Sequence, residues 1–456
     1  MIREEACGPP SFGVTFVVGA EQPIQEQKAK NSEAFYNNLD GIIPEMATIA
    51  ESANKYRHIR GGLDNAVKQA DERGFRDMFV FDADVHQAEL FKNLSKYVDY
   101  SKWKGMFEGN EDDIPLIKTA TEKFANPWPA GTAIYTSVRD QFGNLVVNRP
   151  ETSWPNEMSI DEVVDVFIRR MNDIGIKSCL AFPGPSIGSV ADAMKDSDAE
   201  YQFTKAYTQY MVDNFSKYDE LVSPILVPSR LKGNADKVAE LIDDYGKEKG
   251  ICGVMFYGKT KTPMGAAECD PIYDAAQQKD LPILLHGNNA AHNVGSGDPY
   301  YDHYRDIFLF NHALGFPFSI ALNITSMLVD GVPERYKKLK FVFIEAGITW
   351  VAWLRQRLDD EFAKKKNEAP LLTRMPSEYM DEWYYCTQPL EGMHKNELEP
   401  FFKCIKGNWE DHFIYASDYP HCDFDAPSAV YDLPFLTLDQ KKKILGENAR
   451  KLFKLK

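Results

Sequence analysis

The chain has 456 residues, 44% hydrophobic and 26% charged, with a formal net charge of −16. Such a chain can bury a large core, and its acidic balance argues against nucleic acid or an anionic membrane as partner, because both reward clustered Lys and Arg. Seven scattered cysteines without a CxxC suggest neither a disulfide framework nor a thiolate zinc site.

No apolar run approaches the roughly 18 residues of a membrane span. The start, Met1-Ile2-Arg3-Glu4-Glu5, has no apolar stretch of the secretory kind behind it, so a cytoplasmic protein is expected. Residues 1–75 show helical periodicity over 32–56 and 62–72, which predicts a helical N-terminal extension that packs on the main fold or forms an arm for a second subunit.

The first strand is predicted over 79–86 and ends Asp82-Ala83-Asp84-Val85-His86, a spacing that points Asp82, Asp84 and His86 to one face. A long connection rich in Pro, Gly, Asn and aromatics, about 87–157, reads as an insertion or lid. Ser159-Ile160-Asp161-Glu162 is a capping box that opens an amphipathic helix, and Ser197-Asp198-Ala199-Glu200 looks like a second. From there strands alternate with helices. Strands are predicted over 177–182, 221–228, 251–257, 282–286, 339–345, 383–387 and 412–418. Between them, helices are predicted over 234–245, 271–278 and through 328. A further one carries Trp350, Trp353, Leu354, Leu358 and Phe362, and a last one opens on the box Thr437-Leu438-Asp439-Gln440.

Eight short apolar strands alternating with helices, without a Gly-rich dinucleotide turn, predict an α/β fold of the (β/α)8 TIM-barrel type over residues 76–456. Chemistry in such barrels sits where strands end. The first strand ends in Asp84 and His86, the fifth in His286, the sixth in Glu345 and the eighth in Asp418. Two His and two Asp around one axis match the ligands that zinc, manganese or ferrous iron accept. Taken singly, a strand-end Asp is more often a cap and a His in an apolar run more often a core residue. Their coincidence is what points to a metal.

The stretches Asp82-Ala83-Asp84-Val85-His86, Leu285-His286, Phe343-Ile344-Glu345-Ala346-Gly347-Ile348-Thr349-Trp350, Arg357-Leu358-Asp359, Pro376-Ser377-Glu378-Tyr379, Thr387-Gln388-Pro389-Leu390-Glu391 and Ala416-Ser417-Asp418-Tyr419-Pro420-His421 resemble the amidohydrolase-2 family. That family includes aminocarboxymuconate semialdehyde and γ-resorcylate decarboxylases. The resemblance implies one divalent metal ion, zinc first and manganese or iron next, held by Asp84, His86, His286 and Asp418. It also implies a homodimer acting on a small carboxylic acid. Asp82 would support the ligand pair. Where the decarboxylases usually carry an active-site His after the sixth strand, this chain has Glu345. His312, in Phe310-Asn311-His312-Ala313-Leu314-Gly315, resembles a motif of the same subfamily.

The function expected from the resemblance is non-oxidative decarboxylation of an aromatic or conjugated acid, with Asp418, His312 or Glu345 delivering the proton. The alternative is hydrolysis of an amide, lactone or carbon–carbon bond by metal-bound hydroxide. A third reading, a barrel retained only for binding, has the intact ligand set against it. His292, six residues beyond His286, stands with His312 as a histidine that could compensate for the missing one, whereas a solvated imidazole is the reading for His303 and His394. Arg230, Lys259 and Lys261 follow strands three and four and stand as candidates to meet a substrate carboxylate.

Overall fold

In a computed structural model, residues 59–86, 97, 137–139, 145–147, 159–182, 197–257, 260–287, 310–419 and 424–456 are described. The expected helix over 32–56, most of the 87–157 insertion, and Lys259, His292, His303 and His421 lie outside them, as does the side chain of His394. The chain divides into two compact units, residues 1–53 with 139–144 and residues 54–138 with 145–456. The barrel belongs to the second.

Its strands are β1 (Phe81–His86), β2 (Ser178–Phe182), β3 (Leu221–Leu226), β4 (Ile251–Tyr257), β5 (Ile283–His286), β6 (Phe341–Ile344), β7 (Tyr384–Cys386) and β8 (Phe413–Ile414). They pair in parallel, each with the next in sequence, as one eight-stranded sheet. The ring closes where Ala83 N–H donates to the Tyr415 carbonyl (3.0 Å) and His86 N–H to that of Tyr419 (2.7 Å). The strands are almost wholly buried, which is why they read as continuous apolar runs rather than alternating ones.

The helices are α1 (Ile59–Glu72), α2 (Ile160–Asp173), α3 (Ser197–Phe215), α4 (Ala235–Tyr245), α5 (Asp270–Lys279), α6 (Phe316–Val329) and α7 (Thr349–Lys365), with shorter ones after them. The capping box at Ser159 is formed, with Ser159 N–H donating to Glu162 Oε2 (2.7 Å) and Glu162 N–H to Ser159 Oγ (3.3 Å). The box at Thr437 is formed too. The second expected box is not what Glu200 is used for. Ser197 is itself helical, and the buried Glu200 carboxylate accepts from Ser229 Oγ, from Arg230 N–H (3.0 Å) and from the Arg230 guanidinium.

Helix α1 packs on the barrel: Arg73 forks onto Asp432 (2.8 and 2.7 Å), and Phe75 meets Tyr431 edge-on at 5.1 Å. One further expectation is corrected. Residues His312–Val329 form a helical stretch of 18 residues that by length and composition is apolar enough to cross a membrane, although half of it is buried in the barrel's helical layer. On α7, Trp350, Leu354 and Phe362 are buried, whereas Trp353 is half exposed.

Candidate metal centre

Strand register sets the site. Tyr257 pairs with His286, His286 with Ile344, and His86 with Phe182, so the ends of β1, β2, β4, β5 and β6 come level at one rim. Asp84, His86, His286 and Glu345 each offer one ligating atom there, all within 4.8 Å of one another, and all four residues are buried. Among the described residues, neither carboxylate oxygen of Asp84 accepts a hydrogen bond. A fully buried, unsatisfied carboxylate facing two imidazoles is costly by itself and fits a bound cation.

His286 is oriented as a ligand should be. Its Nδ1–H donates to the Gly287 carbonyl (2.6 Å), which leaves Nε2 to face Glu345 Oε2 at 2.8 Å and Asp84 Oδ1 at 3.7 Å. Burial alone would lower its pKa, but the Glu345 and Asp84 carboxylates outweigh that and raise it to about 10. His86 Nε2 lies 3.3 Å from Asp84 Oδ1 and 2.9 Å from Asp418 Oδ1. Asp418 thus adjoins the quartet through His86 without belonging to the mutually close set.

Asp82 does not join the quartet. The register of β1 shifts between Asp82 and Val85, which breaks the strict alternation that the sequence implied. The Asp82 carboxylate instead accepts from Asp84 N–H (3.1 Å), Ser417 N–H (2.9 Å) and Ser417 Oγ–H (2.5 Å), tying β1 to the chain after β8. Burial, only partly offset by these bonds, pushes its pKa up to about 8.

Both strand-end carboxylates sit on left-handed backbone, with φ of 58° at Glu345 and 60° at Asp418. At Glu345 this ends β6 one residue earlier than the sequence predicted, while β8 ends at Ile414, well before Asp418. Non-glycine residues held this way cost about 1–3 kcal/mol each and gather at functional sites. The turn after Glu345 is fixed by the Glu391 carboxylate, which accepts from Thr349 N–H (3.0 Å) and Thr349 Oγ–H (2.6 Å) at the start of α7.

Aromatic rings wall the quartet. Phe182 stands edge-on to His86 and His286, with centroids 4.9 and 5.3 Å away, and Tyr257 lies 5.5 Å from His286. A strand-end pattern of imidazoles and carboxylates does not mark these two rings. Phe182 and Tyr257 are the last residues of β2 and β4, so the strand-end rule applied to aromatic residues would have found them. His312 lies outside the quartet, on a π-helical turn, Asn311–Gly315, that runs into α6, with its ring 5.4 Å from Phe316. Arg230 is engaged by Glu200, and Lys261 is exposed.

A closed parallel barrel with buried imidazoles and carboxylates converging at its strand ends defines a metal-dependent barrel enzyme of the hydrolase and lyase kind. The family model described as Amidohydrolase matches residues 168–455, and the chain belongs to that family. The match starts within α2, so β1, with Asp84 and His86, precedes it. By sequence, a gamma-resorcylate decarboxylase of Polaromonas sp. (strain JS666 / ATCC BAA-500) is 21% identical over 325 residues, covering 67% of this chain and 92% of its own. Among solved structures, the 5-carboxyvanillate decarboxylase LigW of Sphingomonas paucimobilis superposes with a TM-score of 0.56 at 16% identity, covering 83% of this chain and 99% of its own. A dihydroxybenzoic acid decarboxylase of Polaromonas sp. JS666, with bound manganese and the inhibitor 2-nitroresorcinol, gives 0.56 at 17%, covering 83% and 97%. These likenesses show the shared barrel fold.

Proposed function

We propose that this chain is a metal-dependent carboxy-lyase that removes carbon dioxide from an aromatic or conjugated carboxylic acid. The observation that carries the reading is the buried quartet walled by aromatic rings, in a chain whose relatives are named as decarboxylases of aromatic acids. Asp84, His86 and His286, with Asp418 or Glu345, would hold one divalent ion, zinc or manganese. When bound, that ion supplies positive charge for the substrate's carboxylate or a neighbouring hydroxyl.

The protein's own part is to orient and to protonate. Phe182 and Tyr257 offer ring edges and faces against which a planar substrate packs. As the carboxyl carbon leaves, the bonding electron pair stays on the ring carbon, which then takes a proton. His312 Nε2 or the Asp418 carboxyl is the donor in this reading. The Gly287 carbonyl, accepting from His286 Nδ1–H, holds that imidazole with Nε2 towards the cluster. The partner is a small carboxylic acid, and the assembly a homodimer.

The test is incubation of zinc- or manganese-loaded protein with 2,6-dihydroxybenzoate and 5-carboxyvanillate in heavy water, followed by proton NMR. Loss of carbon dioxide with solvent deuterium at the vacated carbon is expected. Turnover of lactones or amides with no loss of carbon dioxide from any aromatic acid would replace this reading with hydrolysis.

A further inference from the structure

The acidic balance of this chain has a local exception. At the end of the barrel opposite the metal rim, where β3, β4 and β5 begin, a cleft of about 280 Å³ opens beside residues 452–456. Lys247, Lys249, Lys279, Lys454 and Lys456 line it. The carboxylates among its lining residues are those of Asp219, Glu248 and Asp280, so the cleft has two positive charges in excess within a chain of net charge −16. Asp219 holds Lys249 (2.7 Å) and Lys456 (3.5 Å), and Asp280 holds Lys454. Lys247 donates to the Lys279 carbonyl and makes no ion pair among the described residues. Its charge is nevertheless felt across the cleft. Asp280 is held below the usual carboxylate range by the hydrogen bond from Lys454 first, against burial, and then by the charges of Lys454, Lys247 and Lys340.

Lysines near helix ends often serve the last carbonyls, and Lys279 and Lys454 do so here, donating to those of Asp243 (2.8 Å) and Asp280 (3.1 Å). That use does not require five ammonium groups to converge on one hollow, where each repels the others. The hollow also has an apolar floor, because Leu221, Leu281, Pro282 and Phe453 line it and are buried.

We propose that this cleft binds a small phosphate ester, with the phosphate among the lysines and the organic body on the apolar floor. An ammonium is a compact charge with three donors and meets phosphate oxygens from several directions at once. A phosphate monoester, with a charge of about −2 near neutral pH, offsets the two excess charges. The volume is at the small end for ligand sites, which limits the occupant to one small molecule. Bound there, the phosphate joins the turn after α4, the end of α5 and residues 454–456. The site is separate from the metal rim. Strand β4 runs from Ile251 at the cleft to Tyr257 at the rim, a span of about 20 Å. The proposal does not depend on the decarboxylation reading.

Calorimetric titration of the metal-loaded full chain with phenyl phosphate, inorganic phosphate and, at matched ionic strength, sodium chloride tests it. One saturable site is expected for phenyl phosphate, about tenfold tighter than for inorganic phosphate, a difference that burial of roughly 50–60 Å² of the ring supplies. Lys247→Gln, which breaks no ion pair, and Lys249→Gln should each weaken phenyl phosphate about tenfold, the scale of one lost charge-assisted hydrogen bond. Both variants should keep metal content and turnover, and Lys364→Gln, on the exposed side of α7, should bind as the wild type does. Binding that survives both cleft substitutions lies at the metal centre instead and overturns the proposal. Heat matched by chloride overturns it too, as does an affinity for inorganic phosphate equal to that for phenyl phosphate. If Lys249→Gln loses its far-ultraviolet dichroism, Lys247→Gln alone decides.

Discussion

Metal binding to this site should be a proton-release reaction. His286 faces Glu345 at 2.8 Å and Asp84 at 3.7 Å, and these carboxylates, against the opposing effect of burial, raise its pKa to about 10. A metal takes only the neutral imidazole. At pH 7 removing that proton costs about 4 kcal/mol, from roughly three pKa units at 1.36 kcal/mol each. Between pH 6.5 and 8.5 apparent affinity should therefore rise about tenfold per pH unit, with about one proton released from His286 for each ion bound. Asp82, raised to about 8, adds to the release if the ion's charge reaches it.

The sign for folding follows from the same two groups. Both have folded pKa values above their unfolded ones. Their stabilisation is full below about 6.5 for His286 and about 3.8 for Asp82, and is lost as pH rises through about 10 and about 8. The thermal stabilisation given by metal should accordingly be larger at pH 9 than at pH 6. Calorimetric titration with manganese, in buffers of different ionisation enthalpy, measures protons released and affinity together. A flat affinity from pH 6.5 to 8.5 with no proton released would refute the ion-paired state of His286.

Further substitutions separate the roles. His286→Ala and Asp418→Asn should each lose metal or activity while the far-ultraviolet dichroism stays unchanged; full metal occupancy with normal turnover in both would remove the site. His312→Ala should lower turnover by about 100-fold, the scale of a lost general acid, without removing metal. Loss of metal from that variant would make His312 a ligand. Gly347→Ala should destabilise the fold by about 2 kcal/mol in urea denaturation. Gly347 has φ of 67°, and a Cβ there would meet Glu391 Oε1 at 2.8 Å and the Pro389 carbonyl at 2.9 Å.

The barrel was legible because buried parallel strands are written as short apolar runs. The run 251–257 was placed to the residue, and Ser159 and Thr437 announced their helices through side chains that act locally. The polar ends of those runs located the imidazoles and carboxylates. What could not be read was backbone and register. Nothing local says that Glu345 and Asp418 turn left-handed, or that the shift inside β1 carries Asp82 to Ser417. Glu200 was misread for a similar reason. Its Ser-x-x-Glu spacing is that of a capping box, but a tertiary partner, Arg230, outcompetes the local one.

The closure of the ring between β1 and the residues after β8 has a consequence for how the protein is made. Asp82 and Ser417, which bond to each other, are 335 residues apart in sequence. At ~5–20 residues per second, a ribosome that has made the first leaves roughly 20–70 s before the second exists. Over that interval the outer edge of β1 has no strand to pair with, and the Asp82 carboxylate has no donor from the far end. An unpaired strand edge is a template for wrong pairing. Nascent chains halted before residue 415 should therefore recruit chaperones or aggregate, and acquire a native metal site only once the last strand is released.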